Sequence, residues 1–466
     1  MTADLIRLWR TTRMLLAGPP VTITSPSLRT VLCLVFLHGM VGCAQEILPR
    51  RVFLGIRMEN LTDDMRRITG LGEQKAVLIS EVLPGGTAEK AQWLRGDMLT
   101  TLNGTPMGST DDVFAFLGAL SAGQNFQFTL VRDKKEIKGR AVLASYPAER
   151  YPDIAVEYGA TRAQAGLQRV IHTRSKSRVG KRLPAVVFIG GIACYSLDLP
   201  LDSARGEIQL LNRLARKGFA CARLEKPGIG DGAKTCKPCG QVSFMEELDG
   251  YVQAIRDLKQ RPDIDSNNIT IIGHSMGGVF GPLAAQRTPV QRIIAYGTIG
   301  SNFIEYLAKT RRTIGEAQGW PPEEIDAFIK DYCECATWYF ADHLTTAEVA
   351  AKKPVCAEYV GIFDARSRPY NDELYALNIP GLWKDFSGQA LLLWGESDFI
   401  SAREDHALIE AAVNHYHPGH AEFKTVPAAD HPMNVAASFQ SAVAGSSVYN
   451  TAVGDAILTW LERTGI

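Results

Sequence analysis

Beyond residue 153 the chain alternates two patterns. Short, mostly apolar runs at 185–189, 219–224, 269–272, 293–296, 390–394 and 422–426 are separated by longer stretches whose apolar residues recur every three to four positions. Runs without polar alternation suit strands covered on both faces, and the longer period is that of helices packed over a sheet. Helices are predicted over 208–217, 243–259 and 279–286, with a closing helix around 458–462. Ser243 followed by Glu246 gives the second of these a capping-box start. This alternation predicts an α/β fold, a mostly parallel sheet flanked by helices.

Residues 301–386 interrupt the rhythm. They read as helices, carry Trp320, Trp338, Tyr339 and Trp383, and fall between two core strands. An insertion at that place is expected to form a lid over an active site, with an oligomerisation surface as the alternative. Residues 50–147 follow a third pattern. Short apolar strands at 52–56 and 76–79 lead to Pro84-Gly85-Gly86-Thr87-Ala88, then Leu94-Arg95-Gly96-Asp97-Met98-Leu99, then the turn Asn103-Gly104. Asn-Gly between two β-prone runs predicts a hairpin. A helix over 109–120, capped by Ser109 or Thr110 with Val113, Phe116, Leu117 and Leu120 on one face, and strands at 126–131 and 138–143 complete this unit.

The bulk composition narrows the partners. At 466 residues the chain is long enough for two or three folded units. Lysine plus arginine equals aspartate plus glutamate at 50 each, so nothing in the charge balance points to nucleic acid, and small or neutral substrates are expected. Residues 1–45 read as a leader. Arg29 precedes the apolar run 31–41, which is too short to span a bilayer, and small residues follow at Gly42-Cys43-Ala44. That order predicts export, with Met14 an alternative start. Val41-Gly42-Cys43 also resembles a bacterial lipobox, in which Cys43 would carry the lipid and provide the only membrane attachment, although Met40 stands where leucine is usual. Seven further cysteines leave at least one thiol unpaired in an exported protein. Cys236 and Cys239 have redox-motif spacing but lie in a polar glycine-rich loop. A loop-bracing disulfide, within the pair or to Cys194, is expected there rather than thioredoxin-like chemistry or zinc.

Gly273-His274-Ser275-Met276-Gly277 carries the candidate chemistry. A G-x-S-x-G pentapeptide alone is weak, since a glycine-rich chain produces it by chance. Its place between the strand 269–272 and the helix 279–286 is the strand–turn–helix that a nucleophile elbow requires. A serine hydroxyl needs an adjacent base, and the expected chain order is serine, acid, histidine. Asp398 follows the strand 390–394 as the preferred acid, with Glu396 as its alternative, and His431 follows the strand 422–426 as the base. His415, His417 and His420 precede that strand and fit a solvated loop better than a metal site. The oxyanion donors are expected to be the N–H of Met276 and that of Gly191 or Ile192 after the strand 185–189.

These residues resemble the α/β-hydrolase family over 153–466, and within it the serine-aminopeptidase and acyl-peptidase branch of esterases, lipases and peptidases. The segment 225–231 is similar to the family's Asp-x-x-Gly-x-Gly-x-Ser turn, with Glu225 replacing aspartate and Gly232 replacing serine. The resemblance carries the nucleophile, acid and base onto Ser275, Asp398 and His431 and implies no cofactor. Residues 50–147 resemble a PDZ domain through the Pro-Gly-x-x-Ala, Leu-x-x-Gly-Asp-x-Leu and Asn-Gly steps. That resemblance implies a groove between Phe53-Leu54-Gly55-Ile56 and the helix 109–120. There an extended peptide adds as a strand and its C-terminal carboxylate meets backbone N–H groups. A degenerate copy that only packs on the larger domain is the alternative. Three functions follow: hydrolysis of a carboxylic ester through an acyl-enzyme, cleavage of short or modified peptides by the same residues, or a peptide-binding scaffold with an inactive hydrolase body.

Overall fold

Eight strands form the sheet of the larger domain in the computed structural model, which describes residues 48–465 apart from 70, 71 and 179. The leader expected over 1–45, including Cys43, lies outside the described residues.

The smaller domain comes first. Its strands are β1 (Val52–Phe53), β2 (Ile56–Asn60), β3 (Val77–Val82), β4 (Met98–Leu102), β5 (Thr105–Pro106), β6 (Asn125–Arg132), β7 (Lys135–Val142) and β8 (Ala144–Ser145). They pair antiparallel in the order β2-β3-β4-β6-β7, with β5 folded back on β4 and β1 paired with β8. Asn103 and Gly104 both have positive φ, +46° and +78°, in the turn between β4 and β5, as the hairpin signal requires. The helix Thr110–Gly118 starts on a capping box in which Ser109 accepts from the Asp112 N–H and Asp112 accepts from the Ser109 N–H. Leu54, Val77, Ile79, Trp93, Leu99, Leu102, Val113, Phe126, Phe128 and Leu130 make its core.

The larger sheet runs β16-β15-β14-β13-β11-β12-β10-β9, where β9 is Ile154–Ala163, β10 Gly166–Ser175, β11 Leu183–Ile189, β12 Ala220–Leu224, β13 Ile264–His274, β14 Arg292–Tyr296, β15 Gln389–Gly395 and β16 Ala421–Val426. From β12 to β16 every neighbouring pair is parallel, while the β9–β10 hairpin joins antiparallel at one edge. Helices Phe244–Gln260 and Gly277–Arg287 cover one face, and helices Gly206–Lys217 and Thr451–Arg463 the other. Because the sheet is sandwiched, Ile269, Ile271, Ile272, Ile293, Ile294, Leu391 and Leu392 are all fully buried, which is why these runs are apolar at consecutive positions.

Between β14 and β15 the chain forms helices Phe303–Ala317, Pro322–Phe340, Thr346–Lys352, Cys356–Gly361, Arg368–Tyr375 and Ile379–Lys384. Their aromatic residues pack inward: Phe303, Tyr339, Phe340, Phe363, Tyr370 and Trp383 belong to the same core as the sheet face beneath them.

Of the two disulfides expected here, the one to Cys194 forms and the one within the Cys236/Cys239 pair does not. Cys239 pairs with Cys194, 45 residues earlier, and a second disulfide joins Cys335 to Cys356. Cys236, expected as a possible partner of Cys239, is a free thiol that donates to the Leu167 carbonyl at 3.0 Å, so only one half of the Cys236/Cys239 pair is in a disulfide. The bridge braces the loop after β11 against the segment after β12, a contact between distant parts of the chain that spacing within the motif does not reveal.

Candidate active site

Ser275 sits at the tightest point of the strand–turn–helix. It follows β13 directly and adopts φ +56°, a left-handed conformation that costs a non-glycine residue free energy. The neighbouring glycines make the turn possible. A Cβ on Gly273 would fall 2.3 Å from the Gly277 carbonyl oxygen, and one on Gly277 would fall 2.1 Å from that of Ile189. The elbow is held from the next strand as well, since the Ser275 N–H donates to the Tyr296 carbonyl at 2.9 Å.

Asp398 and His431 meet across a 2.9 Å hydrogen bond from Nδ1 to Oδ2. With Nδ1 donating to a carboxylate, the imidazole keeps Nε2 as an acceptor, the state a general base needs. Asp398 is fully buried. Its Oδ1 accepts from the Ile400 and Ser401 N–H groups at 2.8 and 2.9 Å, and its Oδ2 also accepts from the Ser401 hydroxyl at 2.6 Å. Burial opposes the charged form, yet the imidazole partner and the Ser401 donors hold its carboxyl below the usual carboxylate value. Two contacts tie His431 to residues around the elbow. His274, next to Ser275 in sequence, donates from Nε2 to the His431 carbonyl at 2.8 Å. Gly297, next to the Tyr296 that holds Ser275, lies so close that a Cβ there would be 2.9 Å from Asp398 Oδ2 and 3.0 Å from His431 Nδ1.

The alternatives lie elsewhere. Glu396 is exposed and accepts from the Ala428 N–H at 3.2 Å. His417 and His420 bond the backbone carbonyls of Lys384 and Ser387 at 3.0 and 2.8 Å, and His415 packs against Tyr416.

Met276 and Ile192 line the same cavity as Ser275, and neither N–H has a hydrogen-bond acceptor among the described residues. Gly191 lies closer to the nucleophile, its Cβ direction pointing to within 3.6 Å of Ser275 Oγ, but its N–H is engaged by the Tyr195 hydroxyl at 3.1 Å. The geometry therefore leaves Ile192 as the freer of the two candidate donors, with Gly191 giving the room.

Several residues that fix this loop carry no motif. Arg366, from the helical insertion, donates to the Ile192 carbonyl at 2.7 Å and pairs with Glu247, which also pairs with Lys226. All three are at least nine-tenths buried, and removing one partner from such a cluster costs roughly 3–5 kcal/mol because the remaining charge is stranded. Glu225, the residue that departs from the family turn, accepts from the Ser196 hydroxyl and the Leu197 N–H, both at 2.7 Å, so the longer carboxylate pins the loop that follows the Ile192 step. Gly297 was readable, as a glycine ending a core strand marks a close approach. Arg366 and Glu247, 119 residues apart, offer no local signal.

The cavity beside Ser275 measures about 360 Å³ and is lined largely by apolar side chains, among them Ile299, Phe303, Leu307, Ile362 and Phe363. Helix Phe303–Ala317 and the segment 362–371 supply most of that lining, so the insertion between β14 and β15 forms one wall.

A second, larger groove of about 740 Å³ runs along the smaller domain. Phe53, Leu54, Gly55 and Ile56 line one side, Phe114 and Leu117 of the helix the other, and residues 230–235 of the larger domain close one end. The carbonyls of Phe53, Leu54 and Gly55 accept bonds from Thr87, Ala88 and Leu83, whereas the N–H groups of Leu54 and Gly55 have no acceptor among the described residues. Asp231 joins the two domains by accepting from Arg50 at 2.7 Å, the Arg51 N–H at 2.8 Å and Arg169 at 2.8 Å.

Histidine burial makes acid stability testable. Burial, with the like charge of His431 second, pushes His274 down to about 4, and burial with Arg261 second does the same to His172. Both are held neutral in the folded chain, and His274 Nδ1 is buried without a partner. The unfolded chain takes up these protons near pH 6.5, the folded one only near pH 4. The stability that depends on these two groups is therefore fully present above pH 6.5 and is lost as the pH falls from 6.5 toward 4. Urea midpoints measured at pH 7.5, 6.0 and 4.5 are expected to drop across that window; a flat midpoint would contradict the burial argument.

Comparison with known proteins identifies the families of the two domains. The model of the alpha/beta hydrolase family matches residues 186–443, and that of the PDZ domain matches residues 52–141. A probable periplasmic serine protease of Haemophilus influenzae, described as do/HhoA-like, is 35% identical over 86 residues, 18% of each chain. The chain spans only about a fifth of the length of the curated relatives it matches, between 18% and 21% for the first three. Among solved structures, the esterase Est1E from Butyrivibrio proteoclasticus aligns at 12% identity and TM-score 0.41, covering 66% of this chain and 98% of its own. The acylaminoacyl peptidase of Pyrococcus horikoshii aligns at 12% identity and TM-score 0.42, covering 74% of this chain and 47% of its own.

Proposed function

Since the chain belongs to the alpha/beta hydrolase family and carries a PDZ domain, we propose that it is a serine hydrolase that cleaves carboxylic esters through an acyl-enzyme on Ser275. The observation that carries this reading is the 2.9 Å Asp398–His431 pair, contacted by His274 and Gly297 from around an elbow that holds Ser275 at φ +56°. In this reaction His431 Nε2 takes the Ser275 proton as Oγ adds to the ester carbonyl. The Met276 and Ile192 N–H groups receive the oxyanion, and the proton passes to the departing alcohol. Water then follows the same route and releases the acid.

A second reading has a specific observation behind it. The free Leu54 and Gly55 N–H groups at the head of the groove suit a peptide C-terminal carboxylate, and a peptide held there favours amide cleavage by the same serine. Export, expected from the leader pattern, is supported by the two disulfides.

Assay of aryl esters against matched peptide anilides separates the two. Aryl esters of medium-chain acids are expected to turn over with an initial burst of alcohol and at least tenfold faster than the anilides. Anilide cleavage exceeding ester cleavage would replace the esterase reading with the peptidase one.

A further inference from the structure

The cavity beside Ser275 has an unusual charge content for an apolar pocket. Two arginines, Arg311 and Arg366, are among its lining residues, and no aspartate or glutamate is. Arg366 is accounted for on two sides by Glu247 and the Ile192 carbonyl, but its Nε is buried without a partner. Arg311 has no carboxylate within ion-pair distance among the described residues. It donates to the Tyr332 hydroxyl at 3.0 Å, and its guanidinium lies 4.5 Å from the centre of the same ring. Two cations line one largely apolar cavity, and the single carboxylate Glu247 is already shared by Arg366 and Lys226, so nothing in the lining neutralises their positive field. Such a field is stronger in a low-dielectric pocket than in water.

The helix that presents Arg311 also sets a distance. Phe303, Tyr306, Leu307, Thr310 and Arg311 all line the cavity, the spacing of one helical face. Phe303 begins that helix just beyond the Gly297 that abuts Asp398 and His431. Eight residues at 1.5 Å each put Arg311 about 12 Å further along the axis. Between the two ends the face is apolar apart from the Tyr306 and Thr310 hydroxyls.

We propose that the substrate carries a carboxylate separated from the reacting ester by an apolar spacer, and that Arg311 binds this carboxylate. The inference rests on the ester-hydrolase reading and names its substrate class. A guanidinium already held by one hydroxyl and lying over a ring is pre-organised for a carboxylate, and a charge-assisted pair is roughly twice as strong as a neutral hydrogen bond.

The test compares 4-nitrophenyl hemiesters of the dicarboxylic acids from glutarate to sebacate with the corresponding methyl-capped diesters. A second arm places the carboxylate on the alcohol side, using acetates of ω-hydroxy acids, and so reports which side of the ester reaches Arg311. In the native protein kcat/KM is expected to be at least tenfold higher for a carboxylate-bearing ester than for its capped counterpart in one of the two arms, with an optimum at an intermediate spacer. Arg311→Gln is expected to bring that ratio to about one, through KM, and Arg311→Lys to restore part of it. A native ratio near one in both arms, or a ratio that survives Arg311→Gln, would overturn the proposal. Turnover of no ester, capped or free, would instead overturn the hydrolase reading on which it stands.

Discussion

On the proposed acyl-enzyme route Ser275→Ala is expected to lower kcat for the best ester by about 10⁵–10⁶, because a nucleophile and its base act as one unit and losing either removes that route. Substrate binding should survive, since the cavity is lined mainly by residues of the helical insertion and the loop after β11. The fold should survive too. Alanine at φ +56° is strained much as serine is, and the bonds that hold the elbow are made by the backbone N–H and C=O of residue 275. A thermal midpoint within a few degrees of the native one, with turnover gone, is the expected pairing. A variant that retained a tenth of native turnover would show that another group attacks the substrate.

Asp398→Asn is expected to lower kcat by about 10⁴. The asparagine Oδ1 can still accept from the Ile400 and Ser401 N–H groups, so the loop keeps its shape. The amide nitrogen then faces His431 Nδ1, where a carboxylate oxygen had accepted a hydrogen bond at 2.9 Å. Two donors cannot share that contact, so the imidazole shifts its proton to Nε2 and presents a donor to Ser275 in place of an acceptor. Glu396→Gln supplies the control. That carboxylate is exposed and bonds only the Ala428 N–H among the described residues, and its loss should change kcat less than threefold. Steady-state kinetics on the two variants distinguishes the acids directly; a larger loss from Glu396→Gln would reverse the assignment.

What the sequence made legible follows from where each residue stands. The core strands could be read because a sheet covered on both faces demands apolar residues at consecutive positions, as in Ile269 to Ile272. The edge hairpin β9–β10 was not singled out. Its outer strand is only partly covered, and the two strands carry Glu157, Arg162, Arg169, His172 and Arg174 among apolar residues, which blurs the period. The helical character of 301–386 was legible, but not its six helices, whose order depends on long-range packing of Phe303, Phe340 and Phe363.

The candidate site divides in the same way. Ser275, Asp398 and His431 could be chosen because each follows a core strand, and those strands run parallel, so all three lie beyond the same end of the sheet. The residues that hold the oxyanion loop could not. Arg366 reaches Ile192 from 174 positions away, and the Cys194–Cys239 bridge crosses 45. The first has no local signal; the second was one of two pairings the cysteines left open, and only the folded loop decides between them. Between Gly191 and Ile192 the choice turned on a single hydroxyl, that of Tyr195, whose position depends on the folded loop.

Labelling with a fluorophosphonate, followed by peptide mapping, tests the central claim most directly. A phosphonylated Ser275 in the native protein, at one adduct per chain, with labelling lost in Ser275→Ala and strongly slowed in His431→Ala, is the result expected of a serine activated by that histidine. Native protein that hydrolyses esters yet takes up no label on Ser275 would contradict it.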